Sequence, residues 1–223
     1  MIREFGTGEV FYLVLALRWT VMLSAIAFVG GGLLGLALTV LRVAPWRPGN
    51  WLVAGYVQLF QGTPLLMQLF VFYFGFGIFG LDVPAIVAAS AALILYAAAF
   101  LAEIWRGCIQ AIPKGQWEAA RALGLRFLPV MWLVVLPQAV RIAVPPTVGF
   151  LVQLVKNTSL ASIVGYVELT RAGQVINNAT FQPFSVFAVV ALLYFALCWP
   201  LSVAARRLER RLAPGGPAAR AIP

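Results

Sequence analysis

Long apolar runs separated by short polar stretches dominate the sequence. Four runs contain no charged residue: 19–41, 51–81, 83–102 and 184–205. Each reaches at least the ~20 residues that a helix needs to cross a hydrocarbon core of ~30 Å. A fifth run, 127–155, is interrupted by one arginine and four prolines. Because lipid offers backbone groups no partner outside the helix, the pattern predicts an all-α polytopic membrane protein with about five transmembrane helices.

A polar tetrapeptide, 61–64, interrupts the second run ten to thirteen positions after its start. At 1.5 Å per residue, these residues lie about 15–20 Å along the helix, near the bilayer middle. Pro64 lacks an N–H and Gly62 loosens the helix, so a break is expected here. Broken helices at this depth often form transport sites, whereas a proline kink held by neighbouring helices is the alternative. The residues of this break that we assign to a substrate path are Gln61, Thr63 and Pro64.

A second polar break, at 156–159, follows an apolar stretch of fourteen residues, which spans only ~21 Å as a helix. The eight residues from Gln153 repeat the order Gln, Leu, Thr, Leu that starts at Gln58. The matching pieces are the two places where a broken helix is suspected. Packing alone is again the alternative. The residues that this break contributes to the predicted path are Asn157, Thr158 and Ser159.

Three further expectations concern charges near these breaks. A helix that begins near Ser159 would direct a partial positive charge at a substrate carboxylate. Glu103 lies three residues before Arg106, so the two can pair on one helix face. The alternative places Glu103 in a water-filled path, where it contacts an amino group, and we include it among the path residues on that basis. Residues 168–182 are polar and are predicted to form an external segment.

The net charge of +9 is distributed unevenly along the chain. With the N-terminus outside, the inside loops hold twelve Lys and Arg residues and the outside only four, Arg3, Arg18, Lys156 and Arg171. This bias predicts an external N-terminus and a cytoplasmic C-terminus, and it leaves no need for a nucleic-acid partner. The first run is too long for a cleaved signal peptide. The basic tail, 206–211, is expected to meet anionic lipid headgroups.

The sequence lacks the residues that most catalytic sites need. It contains no histidine, one aspartate and two distant cysteines, Cys108 and Cys198, so neither the usual general base nor a metal or redox pair is predicted. No G-x-x-x-x-G-K-[ST] motif occurs, so this type of nucleotide site is absent from the sequence. We therefore predict that the chain is not an enzyme, with no catalytic residue, no metal site and no cofactor of its own.

The most charged internal stretch carries a spaced motif. Glu-Ala-Ala at 118–120 is followed after three residues by a glycine, and after nine more by Val134, Leu136 and Pro137. This spacing resembles the cytoplasmic EAA loop of ABC importer permeases, through which a separate ATPase drives the membrane subunit. An amphipathic helix that only lies on the membrane is the alternative. Within a loop at about 112–137, the resemblance assigns coupling to Gly115, Glu118, Ala119, Ala120 and Gly124.

Further motifs extend the resemblance over nearly the whole chain, at 61–66, 102–107, 112–120, 136–139 and 156–160. The chain resembles a permease subunit of ABC importers for polar amino acids, the group that includes histidine, arginine and glutamine permeases. Two small departures are Cys108, where the family usually has glycine, and Val134, where it has isoleucine. The resemblance implies the type I ABC importer permease fold, with residues 1–223 as a single transmembrane domain.

The resemblance also implies a function. The chain would be the membrane-spanning subunit of an ATP-driven importer that moves amino acids into the cytoplasm by alternating access. The implied partners are a dimer of ATP-binding subunits, which hold ATP and Mg²⁺, a second permease subunit (an identical copy or a paralogue), an extracytoplasmic solute-binding protein and membrane lipid. The implied location is the bacterial cytoplasmic membrane.

Two alternatives concern the solute and the energy source. A permease of the same family could carry an opine or an amino acid derivative. A proton-coupled secondary transporter should show acidic or histidine relays at membrane depth, and only Glu103 qualifies. Lys156 disfavours a cationic substrate if it faces the pore and has no such effect if it snorkels outward.

Overall fold

The computed structural model of the chain describes residues 4–78 and 80–212. The helices are α1 (Thr7–Val43), α2 (Arg47–Gly62), α3 (Leu65–Ile78), α4 (Ala85–Gln110), α5 (Lys114–Ala122), α6 (Phe127–Pro129), α7 (Leu136–Asn157), α8 (Leu169–Thr180) and α9 (Pro183–Leu212). A π-helical turn, Val130–Val135, joins α6 to α7, and a 3-10 turn, Thr158–Ser162, follows α7. No strand occurs among the residues described, in agreement with the predicted all-α class. Arg3 and Arg220, which enter the charge balance, lie outside the described residues.

Among the described residues, four helical stretches are long and apolar enough to cross a membrane, namely α1, α4, the stretch Phe127–Ser162 and α9. The pair α2 and α3 adds a fifth span when it is taken as one unit, although it is bent by 101°. The prediction of about five transmembrane helices is therefore confirmed.

Small residues bring α1 and α4 into close contact. A Cβ atom built on Gly31 would lie 2.5 Å from the Cβ of Ala97, and one on Gly35 would lie 3.1 Å from the carbonyl O of Ala98. Because lipid is as apolar as the side chains, such close packing is a main stabilising interaction between membrane helices. Through this contact, α4 takes a central position in the fold.

The remaining helices pack around this pair. Phe150 and Leu154 of α7 lie in one buried cluster with Leu93 and Ala97 of α4. Residues of α7 and α9 pack together nearby through Val152, Val155 and Cys198. A separate cluster joins α8 to α1 and α9. This packing therefore places both predicted polar breaks against α4.

The prediction of a helix that begins near Ser159 is wrong. α7 continues through the predicted break to Asn157 and passes directly into the 3-10 turn. The hydroxyl of Thr158 donates to the carbonyl of Val155 at 2.7 Å, so it continues the helical turn and does not cap a new helix. No helix N-terminus is therefore present there to attract a carboxylate.

Residues 168–182, which were predicted to form a polar external segment, fold as a helix that packs against the spans. They contain α8, an amphipathic helix whose buried side includes Leu169, Ala172 and Ile176. These apolar residues recur at helical spacing among polar ones, so the overall polarity of the segment hid its periodicity. The segment is therefore part of the packed structure.

Candidate functional site

The first polar break is a sharp bend between two helices. α2 ends at Gly62, Thr63 is extended (φ −111°, ψ 141°), and α3 begins after Pro64. Pro64 has no N–H, and it disfavours the helical conformation in the residue before it, so the helix cannot continue. The predicted break is present, and the chain turns by 101° across it.

The side chain of Gln68 replaces hydrogen bonds that the backbone loses at the bend. Its Nε2 donates to the carbonyl O of Phe60 at 2.8 Å, to the carbonyl O of Thr63 at 3.1 Å and to Oγ1 of Thr63 at 2.9 Å. The residue is only 7% exposed, so these contacts lie away from competing solvent. One side chain therefore joins the end of α2, the extended residue and the start of α3.

Gln68 was missed in the sequence analysis, although a signal was present. It is the only amide residue in α3, and it follows Pro64 by four positions. A buried amide in an apolar helix requires hydrogen-bond partners, and backbone carbonyls freed by a nearby proline are such partners. Its Oε1 has no partner among the described residues.

The predicted path residues of this bend lie on its exposed side. Gln61, Thr63 and Pro64 are all exposed. The Thr63 hydroxyl donates to the carbonyl of Leu59 at 2.7 Å. The Gln61 amide lies 3.5 Å from the carbonyl of Ala99 on α4. The bend thus places polar side chains beside α4, in a part of the chain that is otherwise apolar.

The residues of the second break differ in how far they are exposed to solvent. Thr158 is fully buried, whereas Asn157 and Ser159 are partly exposed. The Asn157 Oδ1 accepts a hydrogen bond from Gln153 at 3.1 Å. Asn157 is therefore a partly exposed side-chain amide at this break.

The structure brings the two breaks together. Leu65 and Leu69 follow the first break, and Leu154 and Ala161 flank the second, and all four belong to one buried cluster. Both breaks also contact α4 through hydrogen bonds or buried side chains. The residues that flank the two breaks therefore pack in the same part of the core.

Glu103 forms an ion pair on its own helix. Its carboxylate accepts two hydrogen bonds from Arg106, one of them from Nε at 2.9 Å. Arg106 also donates to the Gln110 side chain at 2.6 Å. Both carboxylate oxygens are thus engaged, and this geometry favours the ion-pair interpretation over contact with a substrate amino group.

The EAA segment is a short helix with one anchored side. Ala120 is 4% exposed and packs in a cluster with Ile109 and Ile112 at the end of α4 and with Val130 and Val135 of the π-helical turn. The residues Gly115, Glu118 and Ala119 are exposed. The helix α5 is therefore held by both neighbouring spans while its charged side stays open.

Gly124 ends this segment in a conformation that suits glycine. Its φ is +79°, in the left-handed region that residues with a Cβ adopt at a cost. Because the chain turns there, Leu123 points away from the cluster and is 81% exposed. Leu123 and Gly124 lie beyond the end of α5, which stops at Ala122.

Glu168 is a second residue that the sequence analysis missed. It is fully buried at the start of α8, where its carboxylate accepts the backbone N–H groups of Thr170 at 2.9 Å and Arg171 at 2.8 Å. The Tyr194 hydroxyl donates to the same group at 2.7 Å. Burial raises the pKa of Glu168, and these hydrogen bonds act in the opposite direction.

Within residues 4–78 and 80–212, no group of three or more His, Cys, Asp or Glu side chains is placed to hold a metal ion. Cys108 and Cys198 are both buried and free.

Comparison with known proteins gives consistent results. A family model described as "Binding-protein-dependent transport system inner membrane component" matches residues 31–214. A probable glutamine ABC transporter permease of Bacillus subtilis (strain 168) is 39% identical over 193 residues, covering 86% of this chain and 89% of the relative. The glutamine transport system permease of Escherichia coli (strain K12) is 32% identical over 197 residues, covering 87% and 90%.

Solved structures support the same fold. The crystal structure of an amino acid ABC transporter with histidines matches with a TM-score of 0.86 at 32% identity, over 90% of this chain and 94% of that chain. An inward-facing MetNI methionine ABC transporter matches with a TM-score of 0.77 at 23% identity, over 94% and 100%. The second likeness shows the fold alone, and together the two confirm the fold class predicted from the sequence.

We expect Gln68→Leu to destabilise the bend. The substitution leaves the carbonyl groups of Phe60 and Thr63 without their side-chain donor, at a cost of about 1–3 kcal/mol for an unsatisfied buried group. Thermal unfolding of the detergent-purified protein measures this as a lowered Tm. The matched control is Gln58→Leu, because Gln58 is exposed on α2. Equal Tm values for the two variants would contradict the assigned role of Gln68.

Proposed function

Because the chain belongs to the family of inner-membrane components of binding-protein-dependent transport systems, we propose that it is the membrane-spanning subunit of an importer that carries amino acids into the cytoplasm. Relatives described as glutamine permeases support an amino acid substrate. So does the likeness to an amino acid ABC transporter. These likenesses favour an amino acid over an opine or another polar solute.

The observation that carries this proposal is that α5 packs against two spans at once. Its exposed side carries Glu118, and its buried side, at Ala120, joins the end of α4 to the beginning of the Phe127–Ser162 stretch. Packed interiors transmit displacement because they have little free volume. A partner that moves α5 therefore moves both spans, and both spans contact the polar breaks.

The energy for transport comes from a separate protein in this proposal. The sequence has no G-x-x-x-x-G-K-[ST] motif, so ATP and Mg²⁺ belong to an ATP-binding subunit that docks on α5. Two such subunits act on two permease subunits, which are identical copies or paralogues. An extracytoplasmic solute-binding protein delivers the amino acid. The chain itself has no catalytic role.

The substrate path runs beside the two polar breaks. An amino acid zwitterion needs acceptors for its ammonium group and donors for its carboxylate. Gln61 and Thr63 at the first break and Asn157 and Ser159 at the second offer both kinds of group. Thr158 supports the path from within the packed structure. Movement of α4 and α7 against each other exposes this polar region to one side of the membrane and then to the other, as alternating access requires.

The orientation follows from charge and from the docking helix. The N-terminus lies outside, and α5 and the C-terminal end of α9 lie in the cytoplasm, where the ATP-binding subunit acts. The arginines at 206, 207, 210 and 211 lie at that end of α9. The coupling experiment below also tests this orientation, because the ATP-binding subunit reaches only the cytoplasmic surface.

We expect Glu118→Lys to uncouple the transporter. Reversing a charge at a protein interface weakens the contact strongly, so substrate-stimulated ATPase activity and uptake should both fall by about tenfold or more. Both are measured on the purified complex in proteoliposomes. The control Ala111→Lys introduces the same lysine side chain at an exposed position outside α5. If Glu118→Lys matched the wild type in both activities, α5 would not be the coupling element.

We expect Thr63→Val and Asn157→Ala to change the apparent affinity or selectivity for amino acids. Each substitution removes a polar group from a break while the apolar cluster beneath remains intact. Concentration-dependent uptake in proteoliposomes measures apparent affinity, and competition between neutral, acidic and basic amino acids measures selectivity. Assembly with the ATP-binding subunit and ATPase activity without substrate should stay near the wild-type values.

Thr180→Val is the control for removal of a threonine hydroxyl elsewhere in the fold, since Thr180 is buried at the end of α8. Kink residues that only shape packing would lower assembly and leave selectivity unchanged. That result, or normal transport with unchanged affinity and selectivity in both path variants, would refute the assignment of these breaks to the path.

A further inference from the structure

A cleft of about 480 Å³ opens between α7 and α9 at the end where both helices carry arginines. Its walls include Ile142 and Pro145 of α7 and Leu212 of α9, and its floor is formed partly by Gly149 and Ala205. The two helices are in close contact further along, through Val152, Val155 and Cys198. Small residues therefore leave a space at one end of an otherwise packed helix pair.

Two cationic side chains lie at the edge of this cleft, one from each wall. Arg141 and Arg206 line it and are exposed. Within residues 4–78 and 80–212, neither of these arginines forms an ion pair, whereas Arg106 pairs with Glu103. An arginine pair at the rim of an apolar cleft is chemically complementary to a phosphate group that carries hydrocarbon chains.

The position of the cleft along the helices fits a lipid headgroup. From Pro183 at the start of α9 to Arg206 the helix rises about 35 Å, which exceeds the ~30 Å of the hydrocarbon core. Arg206 therefore reaches the headgroup region on the side that the charge bias assigns to the cytoplasm. The apolar walls of the cleft then lie within the inner leaflet.

We propose that this cleft is a specific site for one anionic glycerophospholipid, with its phosphate on Arg141 and Arg206 and an acyl chain against Ile142 and Pro145. The site differs from general attraction of the basic tail to a charged membrane, because it needs one residue from α7 and a shaped space. Glu209 also lines the cleft. A carboxylate there disfavours a bare phosphate and favours a headgroup with hydroxyl donors, so phosphatidylglycerol is the occupant that fits the lining.

The first test compares two charge-matched double variants of the complete transporter complex. Nanodiscs contain phosphatidylcholine with a minor fraction of phosphatidylglycerol, and native mass spectrometry counts the lipids retained. Arg141→Gln with Arg206→Gln should weaken retention of phosphatidylglycerol roughly thirty-fold, from two lost arginine contacts. Arg207→Gln with Arg211→Gln removes the same charge from a second cleft, on the opposite side of α9, that has no residue of α7 in its lining, and should change retention little. Equal losses in both variants would overturn the proposal.

A second variant keeps all charges and removes the space. Gly149 lines the cleft, and a Cβ there would meet no atom within 4 Å, so Gly149→Leu places an apolar side chain at the cleft without a clash at its Cβ. It should abolish retention of phosphatidylglycerol while the variant still assembles with the ATP-binding subunit. Unchanged retention would overturn the proposal, because it would show that surface charge alone binds the lipid.

Two further results would exclude phosphatidylglycerol as the specific occupant. Equal retention of phosphatidic acid, which has no headgroup hydroxyls beyond its phosphate, would contradict the assigned role of Glu209. A cross-link between two permease copies through Ile142→Cys, in a background without Cys108 and Cys198, would show that protein covers the cleft. Loss of lipid with normal amino acid uptake would leave the proposed transport function intact, so the two proposals fail independently.

Discussion

The structure depends on one constraint, which is that a backbone inside a lipid bilayer must satisfy its hydrogen bonds within the protein. Long helices meet this constraint along α1 and α4, which have no interior proline, so the carbonyls of the helix interior have partners in the same helix. The bend at Thr63 and Pro64 does not, because the proline removes a donor and turns the chain by 101°. Gln68 resolves the conflict by donating to two carbonyls and one hydroxyl across the bend.

The same constraint explains why the polar breaks suit a transport path. Irregular backbone in a membrane protein is stable only where protein or water surrounds it, and such regions provide hydrogen-bonding groups that a polar solute can use. At the second break the chain keeps its turns helical, with Thr158 buried and Asn157 accessible. Both breaks lie against α4. The close contact between α4 and α1 through Gly31 and Gly35 holds α4 in place.

The sequence predicted the features that follow from local pattern. The five spans, the break at Pro64 and the short helix around Glu118 all came from hydrophobic runs and spacing. Features that depend on partners distant in the chain were not predicted. Glu168 was treated as part of an external polar segment because its partner Tyr194 is 26 positions away.

The measurement that tests the central claim most directly is uptake by the reconstituted transporter with a controlled energy source. Proteoliposomes contain the permease and its ATP-binding subunits, with the solute-binding protein and a radiolabelled amino acid outside. The account predicts accumulation of the amino acid against its gradient only when ATP and Mg²⁺ are present on the side that exposes α5. Accumulation driven by a proton gradient without ATP would contradict it.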